Sequence, residues 1–523
     1  MKKFRRIMAL LLATVMVLSM GAVAFASETE THTYTVADPS EEDVTTGHTY
    51  KAYQIFKADS ITEDGELGNI AWADGVTDAG KTALLGDKAD IKALAESLGT
   101  DDSAAAVAFA KLAYKNKDKL GTPVDVTSGT TILGMGYWVI VDESTAANVK
   151  VVNWATLYQS DGKEAISIVS KVDAPSSDKK VKDTNDSKAN STTDWQRSAD
   201  YDIGDKVPFQ LTATLPGNYT DYETYHLTFH DKECTGLTFD ESSVKVYVGD
   251  SATPVNAANY TVKTTDIGED TFQILFDYAG LTAMNVTNSS VIRVEYESEL
   301  NEDAEIGLPG NPNTSNITYD NNPNSDQDGE EGGTTPAKTA IVFTYKVVIN
   351  KVDKDGASLE GAEFTLTKTL AGGTTKTIAV IKLDEDGNPE VVSGTGADAT
   401  SNATKFSFNG LDDGTYTLKE TKTPEGYNTM PDYTFEVVAT HTANDGTAAA
   451  LTDLAGKKVS GEITLTFDKD LAEGSLTEDV INQKGAVLPS TGGIGTTLFY
   501  VVGSALVIGA AVLLISKRRM RTR

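Results

Sequence analysis

The chain has 523 residues, room for three or four ordinary domains, and its 45 Lys and Arg against 76 Asp and Glu give a formal net charge of −31. That negative excess repels phosphate backbones and argues against nucleic acid as a partner. Cys234 is the single cysteine, so no intramolecular disulfide can form, and five histidines leave little material for a metal cluster or a His-based triad.

Residues 1–26 carry Lys2, Lys3, Arg5 and Arg6, then the apolar run Ile7 to Met20, then Ala24-Phe25-Ala26. A charged start, a short apolar core and small residues at a cleavage point predict a secretory signal peptide. Residues 27–175 form a first region. Strands are expected at Thr49 to Phe56 and Gly136 to Val141, flanking helical stretches at Ala83 to Leu98 and Ala104 to Tyr114. A joint at Pro175-Ser176-Ser177-Asp178 precedes residues 176–335, which read as strand and turn: Val207 to Leu215, His226 to Phe229, Ser243 to Val248, Gln273 to Asp277 and Val291 to Tyr296. Asn311 to Thr335, dense in Asn, Pro, Asp and Gly, reads as a linker. Residues 336–487 alternate strands and turns at sandwich spacing. The expected fold is mainly β, a row of Ig-like β-sandwich modules with a helical insertion in the first.

Residues 488–523 close the chain. The 20-residue apolar stretch Thr496 to Ile515 is followed by Lys517, Arg518, Arg519, Arg521 and Arg523. At about 1.5 Å per helical residue it reaches about 30 Å, the hydrocarbon thickness of a bilayer. The basic tail stays in the cytoplasm and leaves everything before it outside. Without residues 1–26 and 492–523 the chain loses nine basic residues and no acidic ones, so the exported body carries −40. An acidic extracellular chain without disulfides needs another staple.

Candidate staples lie where polar residues share a face with apolar ones. In the strand expected over Ala340 to Asp353, Phe343, Tyr345, Val347, Ile349 and Lys351 fall on one face. Tyr416 and Leu418 put Glu420 inward, and Val480 does the same for Asn482. An amine, a carboxyl and a carboxamide on core faces each cost several kcal/mol if left unpaired. Desolvation lowers a lysine's pKa and raises a carboxyl's, so a neutral amine can attack the amide while the acid polarises its carbonyl; ammonia leaves and an isopeptide bond remains.

Several motifs place the chain beside a known family. Leu488-Pro489-Ser490-Thr491-Gly492, the apolar span and the basic tail together resemble the cell-wall sorting signal of Gram-positive surface proteins. The resemblance implies sortase cleavage after Thr491 and transfer of its acyl group to an amine. VINKVDKDG, YTLKETKTPEGY and DVINQKG resemble the collagen-adhesin B-type (Cna-B) domain, whose Lys, Glu and Asn fall on Lys351, Glu420 and Asn482. The second region resembles the middle isopeptide domain of fimbrial subunits, often with Asp as the acid. This implies Lys179, Asp231 and Asn313, with Lys180 and Asn311 as close rivals because a one-residue slip exchanges the faces. The first region offers Lys51 and Glu143 but no matching Asn, so no bond is expected there. Backbone pilins resemble one another in a Tyr-Pro-Lys element ending the N-terminal domain. Here that place is Ile166 to Lys171, with Val169 and Ser170 replacing Tyr and Pro, so Lys171 is the expected acceptor and Lys163, Lys179, Lys180 and Lys182 are alternatives.

His226 and His230, four apart on an expected strand, lack the Glu of a zinc protease and read as surface residues; Asp326 to Glu330 reads as a solvated acidic run and Cys234 as inert. The resemblance to backbone (major) pilins implies a structural subunit of a covalent pilus. Its partners would be a sortase, other copies of itself, minor or tip pilins and peptidoglycan, with the host surface ligand unspecified. A monomeric wall-anchored adhesin or tip pilin is the alternative. No cofactor or metal is expected, and no catalytic cluster for a turnover enzyme stands out; Glu420 and Asp231 would act once, on their own chain.

Overall fold

The computed structural model describes residues 50–61, 67–99, 103–126, 133–142, 155–160, 174–321, 332–384, 386, 388, 402–442, 450–485 and 494–520. Two compact units result. One holds residues up to Ala174 with Thr220–Tyr225 and Asp320–Gly333; the other holds Pro175–Tyr219, His226–Tyr319 and the chain from Thr334 onward.

In the first unit, β1 (Tyr50–Lys57) and β2 (Gly136–Asp142) pair antiparallel, and β3 (Ala155–Ser160) adds to the other edge of β2. Between β1 and β2 run α1 (Asp78–Leu85), α2 (Ile91–Ser97) and α3 (Ala104–Lys115). Each helix opens on a side-chain cap, the oxygens of Thr77, Asp90 and Ser103 accepting from the backbone three residues on. The stretch expected as one helix over 83–98 is two, because Gly86 turns at φ 58° and closes α1. Leu84, Leu94 and Phe109 pack with Phe56 and Val139 into one core, as the three- and four-residue spacing of apolar residues requires.

The second unit contains two successive sandwiches. In the first, β4 (Ser176–Val181), β6 (Lys206–Thr214), β8 (Leu237–Val248) and β10 (Val291–Leu300) form one sheet in the order β8-β10-β6-β4, where β5 is Ser198–Asp200. The facing sheet carries β9 (Phe272–Phe276), β7 (Leu227–Glu233), β11 (Asn311–Asp320), β12 (Lys338–Phe343) and β5 in that order. Asn311 to Asp320 is therefore a strand and not a linker. Its Ile317 and Tyr319 enter the core, and buried Asn311 finds backbone partners, its Nδ2 donating to Glu305 O (2.9 Å) and Val342 O (3.1 Å). Polar composition misleads here because the polar side chains are satisfied inside.

In the second sandwich, β13 (Tyr345–Asp353) lies between β15 (Lys405–Leu411) and β19 (Ser475–Asn482). Opposite them stand β14 (Glu363–Thr369), β16 (Gly414–Lys422), β17 (Tyr433–Thr442) and β18 (Ala450–Ser460). The strand expected over 340–353 is broken at fully buried Thr344, whose hydroxyl donates to Leu411 O (3.2 Å). Its first half, β12, joins the preceding sandwich, parallel to β5.

A final helix, α4 (Ile494–Met520), contains the 19-residue span Tyr500–Arg518 with mean hydropathy 1.9, long and apolar enough to cross a membrane. The signal segment 1–26, Glu143, Lys163, the element ending at Lys171, Asp326 to Glu330 and the pentapeptide 488–492 lie outside the described residues.

Candidate functional site

Two buried clusters of amine, acid and amide occupy the two sandwiches. In the second, Lys351 on β13 and Asn482 on β19 come from neighbouring parallel strands whose register sets Lys351 opposite Val480 and Asp353 opposite Asn482. Glu420 rises from β16 in the facing sheet. Lys351, Glu420 and Asn482 are 0, 3 and 1 % exposed, so alternation placed all three correctly. Asn482 Nδ2 donates to Glu420 Oε1 (2.7 Å), while Glu420 Oε2 accepts from Met430 N (2.6 Å). Lys351 Nζ donates to Val480 O (2.8 Å), two residues before Asn482 on the same strand. Burial pushes the Lys351 amine down to about 8, against the pull of Glu420. The Asn482 carbonyl oxygen accepts no hydrogen bond, so the amide meets Glu420 through its nitrogen, the reverse of the orientation expected for carbonyl polarisation.

The first sandwich assembles Lys179 from β4, Asp231 from β7, Asn313 from β11 and Tyr296 from β10. Lys179, Asp231 and Asn313 are fully buried. Lys179 Nζ donates to Asp231 Oδ2 (2.5 Å) and Tyr296 Oη (2.7 Å), and Asn313 Nδ2 donates to Tyr296 Oη (2.9 Å). Burial lowers the Lys179 amine and raises the Asp231 carboxyl, both toward their neutral forms, with each partner's charge opposing the change. The rivals fall elsewhere: Lys180 reaches Asp178 at a part-exposed edge, and Asn311 is spent on the backbone.

Tyr296 and a second carboxyl of this cluster escaped sequence reasoning. Glu233, two positions beyond Asp231 on the same face, accepts from Asn313 Nδ2 (3.1 Å) and from the Ser298 hydroxyl. Burial and the charge of Asp231 push its carboxyl up to about 7. It holds Asn313 as Glu420 holds Asn482, and the two-residue alternation that singled out Asp231 was the signal that could have found it.

A third buried lysine has a different setting. Lys368 on β14 is fully buried and paired with Asp202 (3.1 Å), Asp186 (2.5 Å) and Asp412. Burial alone would lower its amine, but Asp412 and Asp202 outweigh burial and hold it above the ordinary lysine range. It stays a cation, and no asparagine amide donates to or accepts from it among the described residues. Lys182 lies over the Trp195 ring, 4.7 Å from its centroid. His230 bonds Asp270 (2.8 Å) and Thr318 (2.9 Å), and half-buried Cys234 sits 3.9 Å from Asn311 Oδ1.

Residues 345–449 match the SpaA prealbumin-like fold domain, and residues 481–520 match the LPXTG cell wall anchor motif. With the apolar helix behind the motif, they define a Gram-positive surface protein anchored to the cell wall. The chain is 27 % identical over 411 residues to the trypsin-resistant surface T6 protein of Streptococcus pyogenes, covering 67 % of this chain and 70 % of that one. It is 28 % identical over 247 residues to a fimbrial subunit type 1 of Actinomyces viscosus, covering 42 % of this chain and 41 % of that protein. It shares its fold with the three-domain T6 backbone pilin of serotype M6 Streptococcus pyogenes, at TM-score 0.51 and 18 % identity over 85 % of this chain and 97 % of that one. The chain is thus similar in sequence to a streptococcal surface protein and a fimbrial subunit, and it has the fold of a backbone pilin.

Proposed function

We propose that this chain is the shaft subunit of a pilus, a covalent polymer joined by sortase from Thr491 of one copy to Lys171 of the next, and stiffened by bonds Lys351–Asn482 and Lys179–Asn313. In each internal reaction the neutral amine attacks the asparagine Cγ, a C–N bond forms, and the amide nitrogen departs as ammonia carrying the proton the amine gives up. Glu420 and Asp231 shuttle that proton and act once, so the chain is a substrate of sortase and not a turnover enzyme. Minor or tip pilins and peptidoglycan would be the remaining partners.

The observation that carries this reading is the pair of buried lysines, each pushed toward its neutral form and each clustered with an acid and an asparagine. A buried ion pair serving stability alone resembles Lys368, which remains charged. The test is intact mass with tandem mass spectrometry of residues 27–491. Each bond removes about 17 Da as ammonia. A deficit of two ammonias, with Lys351–Asn482 and Lys179–Asn313 peptides joined, is expected; a full mass overturns the mechanism. Wall extracts should show a ladder of polymers that collapses to one band in Lys171→Ala, whereas a single band from the unaltered chain would make it a monomeric adhesin.

A further inference from the structure

Two acidic groups lie where the two sandwiches of the second unit meet, and they are neutralised differently. Asp186, Asp202 and Asp205 surround two amines: Lys368 reaches Asp202 at 3.1 Å, and Lys376 reaches Asp202 at 3.2 Å and Asp205 at 3.4 Å. Asp183 and Asp200 pair with no lysine or arginine among the described residues. Their neighbour is His441 of β17, with Nε2 3.5 Å from Asp183 Oδ2 and 4.0 Å from Asp200 Oδ1.

We propose that Asp183, Asp200 and His441 form a site for a divalent transition-metal cation of the zinc or manganese class, bridging the two sandwiches. Each residue offers one ligand atom, and the three atoms lie within 4.8 Å of one another. Two ligands about 2.1 Å from one ion stand about 3.4 Å apart at the tetrahedral angle, so the His441–Asp183 spacing already fits and Asp200 needs to close on His441 by about half an ångström.

The side chains are prepared for an ion in two further ways. Asp200 is 2 % exposed, with the buried Tyr345 hydroxyl beside it, and its Oδ2 and Asp183 Oδ1 meet no hydrogen-bond donor at close range. Unpartnered buried oxygens are costly unless something outside the chain satisfies them. His441 Nδ1 bonds Ser198 Oγ (2.8 Å), and its ring lies 5.8 Å from that of Phe343. When Nδ1 carries the proton to that hydroxyl, the Nε2 lone pair faces the two carboxylates, as a metal-binding imidazole held by a second partner does. One imidazole with carboxylates suits zinc or manganese better than calcium, which takes oxygen ligands. Sequence spacing could not reveal the set, because Asp200 and His441 are 241 residues apart.

The test titrates chelator-treated residues 27–491 with Zn2+ and Mn2+ by calorimetry and follows the melting temperature, with Ca2+ as control. One equivalent of Zn2+ or Mn2+ should bind and raise the melting temperature, and Ca2+ should do neither. His441→Gln should weaken binding at least tenfold while leaving the circular dichroism spectrum unchanged, and part-exposed Asp183→Asn should weaken it likewise. Absence of stoichiometric binding, or equal binding by both variants, overturns the proposal and leaves His441 as an ion-pair partner of the two aspartates.

Discussion

Glu420→Gln is the sharpest single perturbation of the proposed Lys351–Asn482 bond. It keeps the shape of a buried side chain that touches Asn482 and Met430, and removes its ability to carry a proton. If Glu420 is the acid, the variant folds without the bond. Lys351 and Asn482 are 131 residues apart, so opening that loop should cost about 5 kcal/mol on the chain-entropy model. For a module of this size that is about 15–20 °C in the melting transition. The glutamine also sets an amino group against one donor, a further penalty of about 1–3 kcal/mol. Lys351→Met separates the two effects, because it abolishes the bond and leaves Glu420 intact. Scanning calorimetry with intact mass on each variant is the assay. Each should show the full mass calculated for its own sequence, without the deficit of about 17 Da for this bond, and melt at least about 15 °C lower. A Glu420→Gln chain that keeps the ammonia deficit refutes the acid's role, and a bond lost with only a few degrees' change refutes the loop-closure argument.

The first sandwich can be tested by its two acids. Asp231→Asn should show one ammonia deficit by mass instead of two, while Glu233→Gln should retain both after longer maturation; the opposite result would exchange their roles. The pH dependence of an unlinked chain follows from Lys351. Its amine sits near 8 when folded against 10.5 ordinarily, so between these values the unfolded chain binds more protons and stability rises with pH. Asn482→Ala, which keeps the amine unlinked, should therefore gain up to about 3 kcal/mol from pH 8 to 10.5 in urea titrations. The unaltered chain, whose lysine would be an amide, should lack this gain.

Legibility in the sequence tracked how local the physics was. Lys351, Glu420 and Asn482 were readable because each shares a strand face with apolar neighbours such as Ile349, Leu418 and Val480, and a two-residue period needs no knowledge of the fold. The same rule could not choose between Asp231 and Glu233, which lie on one face. It could not see the break at Thr344, because Phe343 and Tyr345 continue the alternation into one core although their strands belong to different sheets. Asn311 to Asp320 was misread because composition says nothing of satisfied side chains. Lys368 stayed hidden for another reason: its partners Asp186, Asp202 and Asp412 are distant in sequence, and all three lie outside regular strands.

The two proposed bonds also dictate where the shaft yields. Force entering at Lys171 and leaving at Thr491 would run along residues 171–179, cross to Asn313, follow the chain to Lys351, cross to Asn482 and reach 491. The residues inside each cross-linked loop are bypassed. The longest stretch still bearing load is 313–351, which includes most of β11 and all of β12, the strand that belongs to one sandwich and leads into the other. Its 38 residues extend to at most about 130 Å at about 3.4 Å each. Resistance there comes from β12 pairing with β11 and β5, from Lys368 buried against Asp202, and from His441 beside Asp200. Single-molecule pulling through residues 171 and 491 should show extension ending near that length. Asn482→Ala should add about 440 Å more, because the 131 residues between positions 351 and 482 join the load path. An unaltered chain that lengthens well past about 130 Å plus its two short ends would show that no such shortcut exists, whatever the mass measurements say of individual residues.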